Sequence, residues 1–108
     1  GELESDIVGR WDWKGREWGI SLHTVSEYRA DGTYHAITKA KFLGTSEVVC
    51  EGVWRFDGEG NLRVELTKTT DPKNAPVGEV FLMKSVTITG DVLSYVYEGK
   101  KETEKRLK

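Results

Sequence analysis

TVSEYRADGTYHAITKA, residues 24–40, decides the fold. Both halves alternate apolar and polar side chains at a period of two, the mark of half-buried strands. Tyr28 in the first half and Tyr34, Ala36 and Ala40 in the second all fall on even positions. When facing strands keep the same parity, the loop between them must hold an odd number of residues. Ala30-Asp31-Gly32 supplies three, with Gly32 where a left-handed backbone is needed, and sets Tyr28 opposite Tyr34.

The same test works outward in both directions. Upstream, Ile7, Gly9, Trp11 and Trp13 lie on odd positions, and Trp18, Ile20, Leu22 and Tyr28 on even ones. A flip of parity demands an even-numbered loop, and Gly15-Arg16 is read as that two-residue turn, setting Trp13 opposite Trp18. Downstream, Val48, Cys50, Gly52, Trp54 and Phe56 form a fourth strand, and Leu62, Val64 and Leu66 a fifth. Phe81 and Met83 disagree in parity with Val86 and Ile88, which calls for a bulge near Lys84 in a sixth strand. Gly90-Asp91 turns into a seventh strand with Leu93, Tyr95 and Tyr97, and residues 101–107 form a weaker eighth. Only residues 70–79, with Pro72 and Pro76, make a longer loop. Eight successive antiparallel strands hide their edges by closing. The expectation is an all-β, eight-stranded, up-and-down barrel over residues 1–108, one domain with no long helix. A two-sheet sandwich is the competing architecture, and its crossovers usually need longer connections.

Composition bounds the function classes. The chain has 108 residues, with 16 Lys plus Arg against 18 Asp plus Glu, so no basic field marks it for nucleic acid or an anionic membrane. Its apolar runs are too short for a membrane-spanning helix. A single cysteine, Cys50, excludes an internal disulfide and reads as a small buried side chain. The chain starts at Gly1-Glu2 without a Met, which reads as a trimmed or tagged start and suits an exported protein.

Gly9-Arg10-Trp11, Tyr28-Arg29-Ala30-Asp31-Gly32-Thr33-Tyr34, Gly52-Val53-Trp54 and Ile88-Thr89-Gly90-Asp91-Val92-Leu93 together resemble the small bacterial lipocalin-like domains of the calycin group. The Gly-x-Trp of the first strand is similar to that of lipocalins. The resemblance implies that Leu3-Glu4-Ser5-Asp6 forms a 3₁₀ turn closing the barrel and that Arg106 packs over Trp11. The start at Gly1 gives the expected setting, periplasmic, envelope or secreted, with a cytoplasmic one not excluded. The Thr-Asp-Tyr motif of the larger lipocalins is absent, since Thr70-Asp71-Pro72 stands in its place, and so is their C-terminal helix.

The expected site is the barrel interior. Ala36, Thr38, Ala40, Cys50 and Gly52 leave a narrow-walled middle that a guest would occupy or larger side chains would fill. Trp11, Trp13, Trp18, Tyr28, Tyr95 and Tyr97 would supply aromatic walls and hydroxyl donors, and the residues expected to bind the guest are Trp13, Trp18, Tyr28, Tyr34, Ala36, Cys50, Trp54, Tyr95 and Arg106. Glu102, Glu104 and Arg106 have two readings. A two-residue turn at Gly99-Lys100 sends them inward, with Arg106 able to hold a ligand carboxylate; a three-residue loop sends them to water, the commoner meaning of such a charged run. His23 and His35 fall on the outer face, opposite Lys39 and Glu27, about 13 Å apart at ~3.3 Å per residue and too far to share a metal. No catalytic, phosphate-binding or zinc-binding pattern occurs, and no cofactor is expected. The expected function is therefore non-enzymatic binding of a small hydrophobic or amphipathic ligand. The alternative is a solid-cored protein-interaction module, similar to the small calycin inhibitors of metalloproteases, with Gly1–Asp6 as the inserting arm.

Overall fold

The computed structural model describes residues 1–108. A short helix α1 (Glu2–Ile7) leads into β1 (Gly9–Glu17), β2 (Ile20–Tyr28), β3 (Thr33–Lys41), β4 (Thr45–Phe56), β5 (Leu62–Thr69), β6 (Val80–Thr89), β7 (Val92–Tyr97) and β8 (Lys100–Leu107). The eight strands pair in sequence order, each antiparallel to the next, and β8 returns to β1 through Arg10↔Leu107, Trp11↔Arg106 and Asp12↔Lys105. Every strand thereby has a partner on both sides within one closed sheet, although β1 and β8 pair over only three residues. The 3₁₀ turn expected before β1 is a six-residue α-helix.

Three features of the register agree with the alternation argument. Tyr28 faces Tyr34, His23 faces Lys39 and His35 faces Glu27 across β2 and β3. Ile88 faces Leu93 around Gly90-Asp91. The parity change in β6 is resolved by a register shift between Lys84 and Thr87, where Ser85 takes a positive φ. A further bulge lies in the β4–β5 ladder, between Glu51 and Gly52.

The β1–β2 turn is different. β1 runs through Gly15-Arg16 and turns at Trp18-Gly19, both at positive φ, so Trp13 faces Thr24 and not Trp18. The two turns contain the same number of residues and produce the same flip of parity, which is why alternation alone could not separate them. Gly15 is small for another reason: a Cβ there would meet the Trp13 ring at 2.5 Å. Trp18 is 96% exposed at the hairpin tip, and Phe42, although it shares the even parity of Tyr34 and Ala36, is also exposed at the β3–β4 tip.

In an up-and-down barrel alternate connections share an end. The β2–β3, β4–β5 and β6–β7 turns lie with α1 at one end, which is the packed one. Ile7 and Trp11 are fully buried there. The Trp11 Nε1–H donates to the Ile7 carbonyl at 2.8 Å, and the Arg106 guanidinium lies 4.3 Å from the centre of the Trp11 ring. Arg106 also donates to the carbonyls of Val8 and Asp6 and approaches Asp91. Leu62, Val64, Leu66 and Leu93 complete this part of the core.

Gly52 shows how tightly β4 and β5 approach at the bulge. A Cβ on Gly52 would lie 2.2 Å from the Glu65 carbonyl oxygen, a backbone atom that cannot swing away. Gly52→Ala is expected to destabilise the chain by about 3 kcal/mol. Gly58→Ala, whose Cβ meets nothing within 4 Å, should change stability by no more than about 0.5 kcal/mol. Urea unfolding midpoints of the two variants check this, and equal midpoints would contradict it.

Candidate functional site

The other end of the barrel is not filled. A cavity of about 340 Å³ lies among the inward side chains of the strands, bordered at the β5–β6 loop by Asp71, Asn74 and Ala75. This is within the usual range for small-ligand sites, roughly 300–1,000 Å³. Its origin is the small-residue stretch of β3 and β4, where Ala36 faces Cys50 and Thr38 faces Val48. The aromatic rings of Trp13, Tyr28, Tyr34, Phe81, Tyr95 and Tyr97 line that gap.

Six of the residues expected to form the site border the cavity: Trp13, Tyr28, Tyr34, Ala36, Cys50 and Tyr95. Three do not. Trp18 stands in solvent at the β1–β2 tip. Trp54 packs edge-on against Tyr28, ring centres 5.9 Å apart, and donates its indole N–H to the Arg29 carbonyl at the closed end. Arg106 is likewise below the cavity, over Trp11. It therefore has the structural position implied by the lipocalin resemblance and is not placed to hold a ligand carboxylate from within.

The cavity's hydroxyls are paired along the β2–β3 wall. Ser26 Oγ and Tyr34 Oη are 3.1 Å apart, and Thr24 and Thr38 Oγ1 are 2.8 Å apart. Cys50 Sγ sits 3.6 Å from Thr69 Oγ1. Burial pushes the Tyr28 and Tyr34 phenols well above their ordinary range, so both remain neutral hydrogen-bonding groups.

The residue least legible in the sequence is Glu104. The β7–β8 turn is the two-residue Glu98-Gly99, with both residues at positive φ, so Tyr97 faces Lys100, Tyr95 faces Glu102 and Leu93 faces Glu104. The inward reading of β8 is thus the one realised, one residue earlier than the turn envisaged at Gly99-Lys100. Glu104 is only 6% exposed, and Tyr95 Oη donates to its Oε2 at 2.5 Å. Its Oε1 is buried with no partner. Burial raises the Glu104 carboxyl to about 7; the neighbouring Glu102 and Asp12 carboxylates push the same way, and the Tyr95 hydrogen bond opposes them. The signal available in the sequence was the even spacing of Glu102, Glu104 and Arg106, outweighed by the appearance of a solvated charged strand.

The histidines stay outside the barrel. His23 pairs with the Asp12 carboxylate, a contact between β1 and β2 that the misplaced first turn had hidden. No three His, Cys, Asp or Glu side chains converge to hold a metal, and no helix is long and apolar enough to cross a membrane. No protein-family model matches the chain, and no curated protein matches it either.

Proposed function

We propose that the chain is a non-enzymatic binding barrel that holds one small apolar or amphipathic molecule in its cavity. The observation that carries this reading is the space between Trp13, Tyr28, Tyr34, Ala36, Cys50 and Tyr95, with apolar walls and a few converging polar groups. The side chains facing it are suited to holding and orienting a guest. Its serine is hydrogen-bonded to a tyrosine, not to a base, and no histidine borders it. The resemblance to small lipocalin-like domains supports the same reading.

Trp13 is the one tryptophan bordering the cavity. In a Trp18→Phe chain, freed of the exposed emitter, titration with the neutral dye N-phenylnaphthylamine should quench Trp emission and raise dye emission, saturating at one dye per chain. Fatty acids, sterols and haem then rank by displacement. No saturable uptake by the folded chain would overturn the proposal.

A second reading, a protein-interaction module working through its rim, draws on the exposed Trp18, Phe42 and Leu43. These residues occupy the tips of the neighbouring β1–β2 and β3–β4 hairpins, beside the cavity mouth. The arm version of that role is not supported, because residues 2–7 form α1, which packs against β4 and β6. Failure of dye uptake would leave the rim as the working surface.

A further inference from the structure

We propose that the cavity selects an organic cation, a small amine whose protonated nitrogen pairs with Glu104 while its apolar body lies among the aromatic walls. This rests on reading the cavity as a ligand site and narrows the chemistry of its guest. The first ground is charge. The carboxylate-bearing side chains bordering the cavity are Glu102, Glu104 and Asp71, and no Lys, Arg or His borders it. The second ground is the unpaired oxygen. Glu104 is more than nine-tenths buried, Tyr95 serves its Oε2, and its Oε1 has no donor. A buried acceptor left without a partner is costly, more so when charged.

The chain does not supply the missing donor. Arg106, two residues along the same face of β8, is turned to the closed end and engaged by Val8, Asp6, Asp91 and the Trp11 ring. An ammonium N–H from a guest would donate to Oε1 in a charge-assisted hydrogen bond. The walls favour the same sign of charge, since Trp13, Tyr28 and Tyr34 border the cavity and aromatic faces attract cations. The carboxylates do not gather closely enough to chelate a metal ion, which points to an organic cation with an apolar body.

The test uses three probes with one ring and one chain length: phenylbutylamine, phenylbutanol and phenylbutyrate. Each is titrated by calorimetry into the full chain at about pH 8, above the Glu104 pKa of about 7. The amine should bind about tenfold more tightly than the alcohol or better, with the carboxylate weakest. In Glu104→Gln, which keeps the side-chain shape, the amine-to-alcohol ratio should fall to about twofold or less. Alcohol or carboxylate binding as tight as the amine, or an amine preference unchanged in Glu104→Gln, overturns the inference. Uptake of N-phenylnaphthylamine with none of the three probes overturns it too, while leaving the binding barrel standing. Uptake of neither dye nor probes overturns both.

Discussion

Trp11→Ala is expected to remove about 3–5 kcal/mol of stability, a large share of the 5–15 kcal/mol typical of a domain. Trp11 is fully buried where β1 meets β8, the ladder that closes the barrel, and that ladder pairs only three residues on each strand. Truncation opens a cavity, leaves the Ile7 carbonyl without its indole donor and takes away the ring beneath Arg106. In a chain of this size the melting temperature should fall by roughly 15 °C or more. Trp11→Phe retains most of the buried ring and should cost less, about 1–3 kcal/mol for the orphaned carbonyl and lost volume. Thermal unfolding followed by circular dichroism checks both. A Trp11→Ala chain that melts with the wild type would mean that barrel closure does not depend on this cluster.

Glu104 gives the second large effect, in the pH dependence of stability. Its carboxyl titrates at about 7 in the folded chain and near the ordinary 4.5 when unfolded. Below 4.5 both states hold the proton and Glu104 does not tilt the balance. Between 4.5 and 7 the folded state keeps a proton that the unfolded state has lost, so stability falls as pH rises. The full loss, complete above the folded pKa, is about 3 kcal/mol. The titratable groups around Glu104 are Tyr95 on β7, Glu102 on β8, Asp12 on β1, Tyr28 on β2 and Tyr34 on β3. The three tyrosines remain protonated throughout this window. Glu104→Gln should therefore flatten the decline and exceed the wild type in stability at about pH 8, by up to about 3 kcal/mol. Urea midpoints at about pH 5 and pH 8 measure the difference. Parallel pH profiles for the two chains would contradict a buried, proton-holding Glu104.

The fold was legible because alternation and loop parity are independent signals that had to agree. They agree at Tyr28↔Tyr34 and Ile88↔Leu93, where only one loop fits. At the first hairpin they were insufficient. Gly15-Arg16 and Trp18-Gly19 are both two-residue loops of the same parity, and a glycine beneath a tryptophan ring looks in sequence like a turn glycine. Sliding that turn moved Trp18 from the expected wall to solvent and brought Asp12 to His23. The middle of the site was readable from Ala36 and Cys50, because small facing side chains leave space whatever surrounds them. Its acidic floor was not. Charged residues in the last strand ordinarily face water, and only closure of the barrel, with Arg106 drawn down to Trp11, turns Glu104 inward.

If the barrel holds its guest in the cavity, filling the cavity abolishes uptake. Ala36 borders the cavity and is 5% exposed, so Ala36→Trp would place an indole ring inside it. Calorimetric titration of N-phenylnaphthylamine into the wild type and into Ala36→Trp, each first shown to be folded, separates a working cavity from an idle one. One dye per wild-type chain and no measurable uptake by Ala36→Trp are expected. Equal uptake by both chains, or none by the wild type, would rule out binding in the cavity.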